Sequence, residues 1–146
     1  MNTWTKRGTL LILAALMLVV GMMIPYRNAE AAMTYNNTNY ASLTCSVNPA
    51  TGELQASLNV DGKKGITSQI ETELYVEKQI LGIIWKRVDI GCVNNLWIDS
   101  TTSYHYTNTF STILSSSGTY RIVVKYTVSG SGGPSDVIMK TENISY

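Results

Sequence analysis

From Ser42 onward the chain alternates apolar and polar residues with a period of two, the pattern of half-buried strands rather than of helices. Leu43, Cys45 and Val47 share one side of a first strand, with Thr44 and Ser46 opposite. Asn48-Pro49-Ala50-Thr51-Gly52 ends it as a turn. Leu54, Ala56, Leu58 and Val60 alternate with Gln55, Ser57 and Asn59 in the second, and Asp61-Gly62-Lys63-Lys64-Gly65 breaks it. A third strand over Ile70 to Glu77 turns Ile70, Thr72, Leu74 and Val76 inward and Glu71, Glu73, Tyr75 and Glu77 outward. A fourth, less regular, spans Ile83 to Ile90 and contains Trp85. The Gly91-Cys92-Val93-Asn94-Asn95 stretch leaves it as a loop. Ser103 to Phe110 forms a fifth, dense in aromatics. Tyr120 to Val128 is the strongest: Tyr120, Ile122, Val124, Tyr126 and Val128 share a face, with Arg121, Lys125 and Thr127 on the other. After a flexible hairpin loop at Ser129 to Pro134, Asp136 to Ser145 closes the series, with Val137 and Met139 opposite Lys140 and Glu142. Seven short strands separated by turns predict an all-β, antiparallel two-sheet sandwich. If the third and sixth strands are neighbours, Glu71, Glu73 and Glu77 face Arg121 and Lys125.

The beginning of the chain breaks this rhythm. Lys6 and Arg7 precede an apolar run from Leu10 to Ile24, and Ala29-Glu30-Ala31 offers small residues at both positions that a signal peptidase reads. The run is shorter than the roughly 20 residues a spanning helix needs. The expected organisation is therefore a signal-peptide helix over residues 1–31, a flexible polar arm over 32–41 and a sandwich domain over 42–146. Cleavage is expected after Ala31 or Ala32, and the product is secreted or held at the cell surface. An uncleaved membrane anchor is the alternative.

Composition narrows the partners. Charged residues are only 14% of the chain against 45% hydrophobic, which excludes charge-driven disorder. Loss of Lys6, Arg7, Arg27 and Glu30 with the leader turns a net charge of +1 into −1. Nucleic-acid binding needs a basic face, and this balance does not provide one; a polybasic membrane patch is equally unsupported at this level. Export and an even cysteine count predict a Cys45–Cys92 disulfide, which in the chain-entropy model is worth about 4 kcal/mol.

Catalytic signals are weak. The single histidine, His105, sits between Tyr104 and Tyr106, and a triad would pair it with a serine and Asp99. No G-x-S-x-G elbow accompanies it. The glutamates of the third strand line one face rather than flanking a cleft. One histidine and two cysteines leave no zinc set, and no calcium-loop pattern occurs. No catalytic residue, metal site or cofactor is assigned. Tyr75 and Trp97 are candidates for stacking on a sugar or peptide, with ordinary strand composition as the alternative.

The stretch Gly118-Thr119-Tyr120-Arg121-Ile122-Val123-Val124-Lys125-Tyr126 resembles strand F of immunoglobulin-like and fibronectin type III-like sandwiches, where a glycine-bearing turn precedes a corner tyrosine. It departs from antibody domains: Ile122 stands where their second disulfide cysteine lies, and Trp85 differs from their core tryptophan. Leu74 to Val76, Trp85 and Gly118 to Tyr126 also resemble the small secreted proteins of unknown function found in low-GC Gram-positive bacteria. That resemblance implies a secreted β-sandwich and brings no catalytic residues.

The turn between the third and fourth strands stands apart. Turn tips are normally polar, yet here the chain reads Ile80-Leu81-Gly82-Ile83-Ile84-Trp85. Two readings follow: Ile80, Leu81, Ile83 and Trp85 form an interaction tip, or the hairpin folds over an open end of the sandwich and buries them. The functional expectation is a non-enzymatic binding module for a protein or cell-envelope component. A small secreted antimicrobial or inhibitory effector, and a hydrolase with an unrecognised site, are the alternatives.

Overall fold

The computed structural model describes residues 34–146; the leader expected over residues 1–31 lies outside them. Eight strands follow one another: β1 (Thr38–Val47), β2 (Glu53–Gly62), β3 (Thr67–Ile80), β4 (Ile84–Arg87), β5 (Trp97–Thr101), β6 (His105–Ile113), β7 (Thr119–Gly130) and β8 (Asp136–Ser145), with one 3-10 turn at Val93–Asn95. They form two antiparallel sheets, β1-β2-β6 and β4-β3-β7-β8. In the second sheet β7 covers one edge of β3, while β5 and β4 share the other: β5 pairs with Ile70 to Leu74 and β4 with Glu77 to Ile80.

The inward faces of both sheets meet in one core. Leu54, Ala56, Leu58 and Val60 of β2 are wholly buried, as are Ile70, Leu74 and Val76 of β3 and Ile122, Val124, Tyr126 and Val128 of β7. These are the residues whose alternation announced the strands, and the fold is all-β and sandwich-like. Each buried aliphatic or aromatic side chain of this size contributes about 1.5–3 kcal/mol. The whole core lies between Ala41 and Ile138. The first described residues are tied to β8 through Asp136, and Tyr146 exchanges backbone hydrogen bonds with Gly118. Residues 34–146 thus hold a complete core with both flanks secured, the makings of an autonomous folding unit.

Four expectations change. First, β5 adds an eighth strand that the alternation did not announce. Its parity runs against polarity, with exposed Ile98 outside and Asp99 inside, where Asp99 accepts hydrogen bonds from Tyr106 (2.9 Å) and Asn108 (2.7 Å) of β6. Second, β1 begins at Thr38 rather than Ser42, so residues 38–41 belong to the strand and not to an arm. Third, β8 turns Val137 and Met139 to solvent and Asp136 and Ile138 inward. Its register is set by the Asp136 carboxylate, which accepts from the backbone N–H groups of Asn36 (2.8 Å) and Asn37 (2.7 Å) and from the Thr38 hydroxyl (2.9 Å). Fourth, the Ser129 to Pro134 loop is tied down rather than loose. Buried Asn37 donates to the carbonyls of Pro134 and Val128 and accepts from the Gly132 N–H. A Cβ at Gly132 would lie 2.3 Å from the Asn36 carbonyl oxygen, so only glycine fits there.

The charge ladder on the outer face of the second sheet is present. Glu77 pairs in register with Arg121 and Glu73 with Lys125, and both make ion pairs at 2.5 Å. Glu71 lies opposite Thr127 instead. Half-exposed pairs of this kind fix register at about 0.2–1 kcal/mol each.

Candidate functional site

The β3–β4 hairpin outruns its sheet. The last pairing between β3 and β7 is Lys78 with Tyr120, whereas β3 and β4 continue through Gln79 with Trp85 and Ile80 with Ile84. The end of the hairpin is therefore flanked by no third strand. Its turn is closed by the Ile83 N–H donating to the Ile80 carbonyl (3.2 Å), and the Gln79 amide donates to the Gly82 carbonyl (2.9 Å). Leu81 and Gly82 take φ values of +54° and +73°. The left-handed region suits Gly82 and disfavours Leu81, whose Cβ crowds the following carbonyl.

The apolar side chains of this tip point into solvent. Ile80 is 38% exposed, Leu81 86%, Ile83 78% and Ile84 55%. The reading in which the hairpin caps an open end of the sandwich is thereby removed for these residues. Ile84, which stands opposite Ile80, completes the cluster and had no place in the expected one.

The stem, in contrast, is braced on both faces. On the outer face Trp85 is half-buried beneath the Arg121 guanidinium, 4.5 Å from the ring centre, and Arg121 also donates to Glu77. Arg87 lies 4.0 Å above the Tyr75 ring. Cation–π contacts at such sites are worth about 0.5–1 kcal/mol each. On the other face Lys78 donates to the Ser116 hydroxyl (2.6 Å) and the Ser117 carbonyl (2.8 Å). A braced stem thus carries a tip whose Leu81 and Ile83 side chains stand largely in solvent.

The remaining candidates do not converge. Cys45 and Cys92 are both free, and the expected disulfide is absent. Cys45 in β1 lies near Glu142 of β8; burial, then that charge, push its thiol up to about 12. Cys92 lies in the β4–β5 connection, at the edge of β3 that faces away from β7. The edges bearing β8 and β5 are three strand spacings apart, about 14 Å at ~4.8 Å each, far beyond the ~7 Å limit between the Cα atoms of a bridge. Compartment and even count carried no information about this separation.

His105 and Asp99 also fall on different faces. His105 contacts the Thr107 hydroxyl and lies 3.8 Å from Asp61, whereas Asp99 is committed to Tyr106 and Asn108. Those bonds, the Asn108 amide first, hold the Asp99 carboxyl below its ordinary range. Tyr75 and Trp97 do not form an aromatic row. Trp97 pairs with core residue Leu74, so its ring turns inward and meets Phe110 at 5.6 Å, while Tyr75 faces outward under Arg87. Among the described residues no three His, Cys, Asp or Glu side chains cluster as metal ligands, and no helix is long and apolar enough to cross a membrane. No protein-family model matches the chain, and no match was found among curated proteins.

Proposed function

We propose that this protein is a secreted or surface-held binding module of the immunoglobulin/fibronectin type III-like kind, and that it engages its partner through the β3–β4 hairpin tip. The signal-peptide pattern at residues 1–31 supports export. The architectural reading is supported by a three-stranded sheet facing one built on β4-β3-β7-β8, and by the Tyr120 hydroxyl donating to the Ser116 carbonyl four residues upstream.

One observation carries the functional reading: Leu81 is 86% exposed at a φ of +54°. Leucine there is unfavourable twice over. The left-handed backbone costs a non-glycine residue about 1–2 kcal/mol, and the side chain leaves its apolar surface in water. Asparagine or glycine would serve the turn better. Folding gives no reason for this choice, and strained, exposed apolar residues on a rigid stem are what a contact element requires. Lys78 of β3, together with Arg87 and the braced Trp85 of β4, holds that element in one orientation.

The test replaces Leu81 and Ile83 by Ser and follows retention of the protein in a cell-envelope fraction alongside thermal melting. Retention is expected to fall while the melting temperature hardly moves. Unchanged retention with a stability loss of about 2–5 kcal/mol per residue, the signature of truncating a buried side chain, would overturn the reading.

A further inference from the structure

We propose that the partner of the hairpin tip is an anionic lipid surface, into which Leu81, Ile83, Ile80 and Ile84 insert as a wedge; the inference rests on the reading of the hairpin as the contact element. The residues are layered along the hairpin axis in the order that a bilayer interface demands. Outermost are Leu81, Gly82 and Ile83, then the Ile80–Ile84 pair. Next comes Gln79 with Trp85, and behind it Lys78 with Lys86, then Glu77 with Arg87. At about 3.3 Å per residue, the lysine pair stands roughly 7 Å behind the isoleucine pair and about 10 Å behind the turn. Interfacial segments bury apolar groups about 5–10 Å deep, place tryptophan at the headgroup level and set lysine and arginine against lipid phosphates.

Charge points to the same partner. Lys78 and Lys86 face one another directly across the two strands. Like charges in that arrangement destabilise a sheet. Lys78 donates to neutral oxygens of Ser116 and Ser117 and lies 5.4 Å from the centre of the Tyr120 ring, and among the described residues neither Lys86 nor Arg87 makes an ion pair. The one acid in the stretch where β3 and β4 pair, Glu77, is already neutralised by Arg121. A cationic collar therefore surrounds the base of an apolar point. The collar answers the objection from net charge, because a membrane senses only the charges within a Debye length of its surface. The shape agrees as well: the tip is convex and unflanked, suited to a surface that deforms around it.

The experiment uses residues 34–146 with Trp97→Phe, leaving Trp85 as the only indole, and vesicles of phosphatidylcholine with or without phosphatidylglycerol. Binding is expected on the anionic vesicles, weakening with salt, with Trp85 emission shifting to the blue. Lys86→Glu, which removes one favourable charge and adds a repulsive one, should weaken binding about 30-fold at about fivefold per charge. Leu81→Ser and Ile83→Ser should each weaken it about tenfold or more. Vesicle binding that ignores the tip substitutions, or ignores lipid charge, overturns the proposal. Absence of vesicle binding while envelope retention remains tip-dependent also overturns it, and assigns the tip to a protein partner with the binding-module reading intact. If the tip substitutions change neither vesicle binding nor envelope retention, both readings fall.

Discussion

The β7–β8 and β3–β4 hairpins are built on opposite logic. The Ser131 to Ser135 loop is small, polar, glycine-rich and exposed, yet its backbone is held from within the domain: Asn37 donates to the Pro134 carbonyl and accepts from the Gly132 N–H, Asp136 closes it, and the Ser131 N–H donates to the Ile66 carbonyl. The missing side chains of Gly130 and Gly132 leave room for the carbonyls of Ile66 and Asn36. The β3–β4 turn is large and apolar, yet nothing in the domain touches the space where a Gly82 side chain would stand. Polarity alone assigns the two loops the wrong way round. What separates them is whether a loop's residues find their partners within the chain.

Breaking the internal fit gives the largest effect. Asp136→Ala leaves the Asn36 and Asn37 N–H groups and the Thr38 hydroxyl without their acceptor, and should lower the urea-derived unfolding free energy by about 3 kcal/mol or more. Gly132→Ala, which forces a Cβ against backbone, is expected to cost about 1–3 kcal/mol by the same measurement.

The next effect is a pH dependence. Burial pushes the Asp136 carboxyl upward, but its hydrogen bonds from Asn36, Asn37 and Thr38 outweigh this and hold it below the usual carboxylate range. The native state therefore binds this proton less readily than the unfolded chain. The stabilisation is complete above the ordinary carboxylate value of about 3.9 and is lost as pH falls through the lower native one. Asp99 adds to the loss in the same direction. Melting temperatures should decline below about pH 4, and Asp136→Asn should make that decline shallower.

The smallest changes belong to the tip. Leu81→Gly relieves the strained backbone, of which glycine's greater freedom in the unfolded chain takes back a part, and should raise stability by a net of about 0.5–1 kcal/mol. Ile83→Ser should stay within about ±0.5 kcal/mol by calorimetry. A tip substitution as damaging as Asp136→Ala would erase the contrast between the two hairpins.

The sequence made the interior legible where side-chain period and burial agree, as in β2 and β7, and it set Glu71, Glu73 and Glu77 as a group against Arg121 and Lys125 on condition that their strands are neighbours; the individual pairs, and the exclusion of Glu71, came with the register. It failed where a partner distant in sequence decides the outcome. Asp99 faces inward because Asn108 and Tyr106 meet it from the other sheet, which reverses the apparent pattern of β5. Val137 and Met139 face solvent because Asp136 is captured by residues near the start of β1. The apolar turn was visible as an anomaly, while its exposure was not, since exposure depends on β3 and β4 outrunning β7. The opposed lysines Lys78 and Lys86 could be found only once the hairpin register was known.

The tie between Asn36 and Asp136 spans 100 residues of chain. A polypeptide emerging N-terminus first presents Asn36, Asn37 and Thr38 long before the carboxylate that receives them. At about 5–20 residues per second of synthesis, the wait is on the order of 5–20 s. Through that interval β1 can pair with β2 but cannot be locked to β8, and the first sheet exists without its fastener. The order of emergence therefore makes this contact among the last to form, and it gives the molecule a late commitment step, passed only when its final strand has arrived.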